Sequence, residues 1–245
     1  MTVDGRYVYC IMEGGNKQNL GSIGLFGNEV YTINHIDISA VVSKMPFKEM
    51  RPGVDSIIAH QRVVEASRDV TTTLPVRFGI LFKSDQGVKK LLASSYKDFR
   101  SKINKLKDKE EFGIKLILEK ENMQKIQKQV ADNSQEVKKI KNEINTSGKG
   151  AAYFLKMRMN DAIKNEMLKK IEKLGSEIHH DLVSCAADSS LLKADLENVI
   201  LNAAYLVNKS EIEKFNDKFE KLKKKHCAHG LIFHQSGPWA PYSFC

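Results

Sequence analysis

Near the C-terminal end, His226, Cys227, His229 and His234 gather the side-chain types that bind zinc. A structural zinc site needs two such ligand pairs at chelating spacing. No second pair accompanies His226-Cys227-Ala228-His229, so loop histidines in solvent are the expected state and no metal is assigned. His179 and His180 are adjacent, and neighbours on a helix point apart, which makes a poor chelate. Gly148-Lys149-Gly150 has the look of the end of a phosphate-binding loop. The upstream glycine is missing, however, and Gly150 stands where a hydroxyl must follow the lysine. The early glycines, from Gly14 to Gly27, do not form a dinucleotide fingerprint before a helix, and turn chemistry accounts for them. There is no G-x-S-x-G elbow and no cysteine in a catalytic context. Carboxylates fall mainly among lysines at helical ion-pair spacing. No catalytic residue and no cofactor is assigned, and the chain is not read as an enzyme.

Two polar residues sit in apolar surroundings. Arg77 lies between Val76 and Phe78, where an arginine either turns to the outer face or meets a carboxylate. His60, on the preceding helix, is read as a structural hydrogen-bonder rather than a base. The tail is more unusual: Ser236-Gly237-Pro238-Trp239-Ala240-Pro241-Tyr242-Ser243-Phe244-Cys245 holds the only tryptophan of the chain between two prolines. The prolines are incompatible with a regular central strand, and large aromatics at a terminus are poorly served by water. Such a tail either folds back over the junction between domains or docks on a partner. In the second case Trp239, Pro241, Tyr242 and Phe244 are the partner-binding candidates; the first reading, a structural clasp, is preferred.

The elements that must carry these residues follow from apolar periodicity. Residues 6–12 read as a buried first strand. A hairpin is expected with strands at 23–26 and 30–34, followed by a strand over 36–42 and a helix from Asp55 to Arg68. Residues 73–79 read as a short strand limited by Pro75. Val88, Leu91, Leu92, Tyr96, Phe99, Ile103 and Leu106 mark one amphipathic helix, and 112–118 a strand. Two long helices follow, one from Met123 to Ile144 and one from Leu155 to Ile178, joined across 145–150 as a helical hairpin. Strands at 190–195 and 199–207, a helix over 211–225 and a strand at 231–234 complete the chain. From Phe112 onward this is a βαββαβ order. The expected architecture is therefore α+β with two domains: a modified α+β half over 1–110, a ferredoxin-like half with the helical hairpin over 111–235, and a tail over 236–245 folding back.

Bulk properties narrow the class. With 42% hydrophobic and 28% charged residues over 245 positions, the chain has the composition of a folded protein rather than a disordered one. No apolar stretch approaches a membrane span, and the N-terminus lacks a secretory pattern; a cytoplasmic protein without membrane contact is expected. Four unpaired cysteines, Cys10, Cys185, Cys227 and Cys245, suit free thiols. The net charge of +9 raises nucleic acid as a partner, and a basic nucleic-acid-binding protein is the alternative reading. Its lysines alternate with glutamates along helices, as on a solvated face, and no RRM, KH or zinc-finger signature is present. No nucleic acid is expected.

An ordered set of short blocks resembles one family. Gly237-Pro238-Trp239-Ala240-Pro241-Tyr242-Ser243-Phe244 resembles the terminal GPWPPYSF signature of the gas vesicle proteins GvpF and GvpL. Tyr7-Val8-Tyr9 is similar to the family's opening strand, His60 with Arg62-Val63-Val64 to its first-helix motif, and Leu74-Pro75-Val76-Arg77-Phe78-Gly79 to its LPVRFG segment. Gly150-Ala151-Ala152-Tyr153-Phe154 resembles a GKAYL-type helix start, and Asn202-Ala203-Ala204-Tyr205-Leu206-Val207 the NAAYLV strand. Ala240 stands in place of a proline and Cys10 in place of a common glycine; F and L members share the blocks. The resemblance implies a non-enzymatic accessory protein of gas vesicle assembly, located at the vesicle in the cytoplasm. It also implies engagement of the hydrophobic shell protein GvpA and other Gvp proteins during nucleation, and a two-domain α+β fold with ferredoxin-like elements. Shielding GvpA from aggregation is the mechanism expected.

Overall fold

The computed structural model describes residues 4–194, 196, 198–226 and 230–245. It contains two compact units: Met1–Glu111 with Gly237–Cys245, and Phe112–Ser236. Each joins one sheet to several helices, so the α+β class holds.

In the first unit the chain forms β1 (Asp4–Glu13), β2 (Asn19–Gly21), β3 (Val30–His35), β4 (Ile38–Pro46), α1 (Val54–Val70), β5 (Thr73–Pro75), β6 (Leu81–Phe82), α2 (Asp85–Ser94) and α3 (Tyr96–Leu106). The sheet runs β2-β3-β4-β1-β5, with β6 also on β1. β1 is central because its run from Tyr7 to Met12 is apolar throughout, and all of it is buried. Its pairing with β4 skips Tyr9, between Val8 and Cys10. This bulge changes the alternation, so Tyr7, Tyr9, Cys10 and Met12 all join one core cluster with Val63 and Val64 of α1.

Three expectations change here. Residues 23–26 are not a strand; the strand is β2, and Leu25–Gly27 is a 3-10 turn with Phe26 at φ 55°. Glycines at 21, 24 and 27 favour the turn, and a side chain at Gly24 would meet the Tyr9 hydroxyl at 2.6 Å. The strand expected over 73–79 stops at Pro75, which brings no N–H to a ladder, and Arg77 lies exposed in the loop beyond. The single helix expected over 88–106 is two, broken at Ser95. Serine hydroxyls compete for helix carbonyls there, and Ser94 Oγ donates to Leu91 O at 3.2 Å.

The second unit takes in most of β7 (Lys109–Leu118), then α4 (Lys120–Asn133), α5 (Gln135–Thr146), α6 (Lys149–Val183), β8 (Asp188–Leu191), β9 (Val199–Asn208), α7 (Ile212–His226) and the start of β10 (Leu231–Trp239). Its strand order, β10-β7-β9-β8, places β7 and β9 in the middle. The core gathers Phe112, Ile114 and Leu116 of β7, Ile178 and Leu182 of α6, Tyr205 of β9, and Phe215 and Phe219 of α7. The first arm of the helical hairpin is broken at Ser134, whose Oγ accepts from Val137 N at 3.3 Å and so caps α5. Val130, Val137 and Ile163 pack α4, α5 and α6 together. β8 begins at Asp188, earlier than expected, and residue 195 of that expectation lies outside the described residues. β10 runs five residues past the expected end, through Pro238; it is an edge strand, where a proline is tolerated.

Candidate interaction surface

The tail belongs to the first unit. Ala240 is fully buried and, with Tyr242, packs on the cluster of Tyr7, Tyr9, Cys10 and Val64. Phe244 is buried, with the Lys105 ammonium 5.8 Å from its ring centre. Glu111 holds the segment from beneath: Ser243 N–H and Ser243 Oγ donate to its two carboxylate oxygens at 2.8 and 2.7 Å. Burial pushes the Glu111 carboxyl up, and these two donors pull it back toward ionisation. Cys245 Sγ donates to Pro241 O at 2.8 Å. Of the four tail candidates, Pro241 and Phe244 are buried, Tyr242 is half-buried, and Trp239 keeps 47% of its surface in solvent.

Beside the tail lies a closed polar chain. His60 Nε2 is 3.0 Å from Val76 O, which can only accept, so Nε2 carries the proton and Nδ1 is an acceptor. Tyr7 O–H donates to Nδ1 at 2.8 Å, and Gly79 N–H donates to the Tyr7 oxygen at 3.1 Å. Gly79 sits at φ +94°, a conformation that glycine adopts without strain. The chain ties the 76–79 loop to β1 and α1, with the Phe78 ring edge-on to both Tyr7 and His60. Burial lowers the His60 pKa from 6.5 to about 4. As pH falls from 6.5 toward 4, the unfolded chain takes up a proton that the native state refuses. Stability from this residue is therefore complete above pH 6.5 and lost on acidification, by on the order of 3 kcal/mol. His60→Gln is expected to flatten that slope in urea unfolding between about pH 4.5 and about pH 7; an unchanged slope contradicts the assignment.

One open apolar surface of this unit sits on α1. Its buried face carries His60, Val63, Val64 and Ser67. A second stripe, Val54, Ile57 and Ile58, points to solvent at 75%, 48% and 52% exposure. A helix apolar on two sides has a second face to cover. Next to it is a groove of about 400 Å³ whose lining is mixed: Phe26, Met45, Pro46 and Met50 with Lys48, Glu49, Arg51 and Ser56. Phe26 is 80% exposed on left-handed backbone, a costly state for an aromatic residue. Phe47 adds a half-exposed ring with the Lys83 ammonium 5.7 Å from its centre. Sequence reading passed over this stripe, although its i, i+3, i+4 spacing, offset from His60, Val63 and Val64, is visible in the chain.

The metal reading gains no geometry. Among the described residues no three His, Cys, Asp or Glu side chains approach closely enough to hold an ion; Cys227 and His229 lie outside them. His179 Nδ1 meets Tyr205 O–H at 2.7 Å. Cys10, Cys185 and Cys245 are free thiols. No helix among the described residues is long and apolar enough to cross a membrane.

The fold is a two-unit α+β chain with its aromatic terminus packed into the first unit and an apolar stripe of α1 left open. The chain belongs to the gas vesicle synthesis protein GvpL/GvpF family, whose model matches residues 5–245. It is 25% identical to gas vesicle protein L of a Streptomyces species, over 91% of this chain and 86% of that one. To gas vesicle protein F of Haloferax mediterranei it is 23% identical, over 98% and 93%. The fold matches the crystal structure of GvpF from Anabaena sp. PCC7120 with a TM-score of 0.83 at 22% identity, and that of GvpF from Microcystis aeruginosa with 0.72 at 20%. Each alignment covers 98% of both chains. The family gives the chain a gas vesicle-related role.

Proposed function

We propose that this protein is a non-enzymatic accessory factor that binds the gas vesicle shell protein GvpA, together with other Gvp proteins, during nucleation. In this reading it works in the cytoplasm at the growing vesicle and limits aggregation of GvpA before it joins the shell. The observation that carries the reading is the open apolar stripe Val54, Ile57 and Ile58 beside the groove under Phe26. Exposed apolar surface of this kind marks an interaction site, and covering an apolar segment of the partner blocks its edge-to-edge association. Trp239, the exposed member of the tail candidates, supplies an additional contact, while Pro241, Tyr242 and Phe244 hold the tail in place. Immobilised full-length protein is expected to retain purified GvpA in a pull-down. Retention no better than on a bare matrix contradicts the reading.

A further inference from the structure

The start of α6 presents an open surface on the second unit. α5 and α6 pack together as an arm that runs beyond the core. None of residues 141–162 is buried, and the buried residues of α6 begin at Ile163. Ala152, Leu155 and Met159, at three- and four-residue spacing, are half-buried and form the inner face toward α5. On the opposite face Tyr153, Phe154 and Met157 are 64%, 72% and 52% exposed, with the two rings edge to face at 5.8 Å. At about 3.6 residues per turn, Lys149 and Lys156 edge this stripe on one side and Arg158 on the other. Residues 149–160 hold no carboxylate. Asp161 lies a turn further on. Glu143 of α5 reaches Arg158 at 3.8 Å with both side chains more than half in solvent, where an ion pair is weak.

We infer that this outer face of the arm is a second docking surface, taken by an acidic amphipathic helix of another protein. The apolar stripe of that helix packs on Tyr153, Phe154 and Met157, and its carboxylates meet Lys149, Lys156 and Arg158. A helix apolar on both sides has a second face to cover, and rings with a methionine suit the packing of another helix. The stripe from 149 to 158 is about 15 Å long, which matches some three turns of a partner. Laid there, the partner closes the helix pair into a small bundle. The flanking cations select acidic edges, because a basic helix sets like charges together. A nucleic-acid strand instead needs a continuous cationic track. None continues from the tip: Glu136 and Glu143 lie among the lysines of α5, and Asp161 and Glu166 among those of α6. The contact is small, so the association is weak and salt-sensitive.

Fluorescence anisotropy of the full chain with a labelled synthetic peptide tests this. The probe is a helix of about 20 residues with leucines at i, i+3, i+4 and i+7 and glutamates on either side. It is expected to bind with a Kd of roughly 1 to 50 μM, and at least about threefold more weakly when salt is raised from about 0.05 to about 0.3 M. Tyr153→Ser with Phe154→Ser alters only exposed side chains, is checked for folding by circular dichroism, and is expected to weaken binding at least about tenfold. Lys156→Glu with Arg158→Glu is expected to lose the glutamate peptide and to bind a version carrying lysines instead. Ile57→Asp with Ile58→Asp on α1 is expected to change nothing, which separates this surface from the one proposed for GvpA. Absence of binding by the wild-type chain up to about 200 μM overturns the inference. So does wild-type affinity for the glutamate peptide in the ring variant or in the charge-reversed one. An oligothymidine strand, phosphatidylserine vesicles and sedimentation of the chain alone are measured in parallel. Tighter capture of either probe, or self-association, that is lost in the ring variant assigns the face to that occupant and likewise overturns the inference.

Discussion

Phe244→Ala is expected to destabilise the first unit by about 3 to 5 kcal/mol, the range for removing a buried aromatic ring. Ending the chain at Gln235 is expected to cost more. That cut removes the burial of Ala240, Pro241 and Phe244, and with it the packing of Tyr242 on the Tyr7 and Tyr9 cluster. It also removes both donors to Glu111, leaving a carboxylate that was solvated by the tail without those bonds. Together these losses are roughly 5 kcal/mol or more, comparable with the whole stability of a typical domain. Hydrogen exchange locates the effect: amides of β1 are expected to lose protection while those of β9 keep it. Unchanged protection in β1 would show that the tail is dispensable for the unit it packs on.

The second large effect concerns the open stripe of α1. Ile57→Asp combined with Ile58→Asp places two charges where apolar contact with GvpA is proposed, without touching the buried face of the helix. Affinity for GvpA is expected to fall at least about a hundredfold, as for loss of a central apolar anchor. The melting temperature is expected to move little, since both side chains are half in solvent. Binding at wild-type strength by a folded double variant would exclude this stripe as the contact.

Local pattern carried much of the fold. The buried run of β1, the helical spacing of α1, α6 and α7, and the strand at β9 are each visible as apolar periodicity. The breaks at Ser95 and Ser134 are not, because apolar spacing continues across both while a serine decides where the chain turns. Pro75 limits the strand in the sequence itself, but the course of the 76–79 loop beyond it depends on the His60, Tyr7 and Gly79 bonds, which join residues 53 and 72 positions apart. The partner of the tail was equally invisible: Glu111 and Ser243 are 132 positions apart. Nor does the sequence distinguish which apolar side chains of α1 lie outside, since that depends on which face the sheet covers.

The tail thus has two separable aspects. Its aromatic and proline pattern carries the family resemblance, while its side chains act mainly as packing for the first unit. The surface proposed for a partner lies on α1 and around Phe26, with Trp239 as the one tail residue of the four candidates whose ring stays largely open.

The most direct test of the proposed function is light scattering of purified GvpA on release from denaturant, alone and with one equivalent of this protein. Scattering that rises late or stays low in its presence, and returns to the GvpA-only course with the Ile57→Asp, Ile58→Asp variant, is the predicted result. A rise indistinguishable from that of GvpA alone would contradict the account.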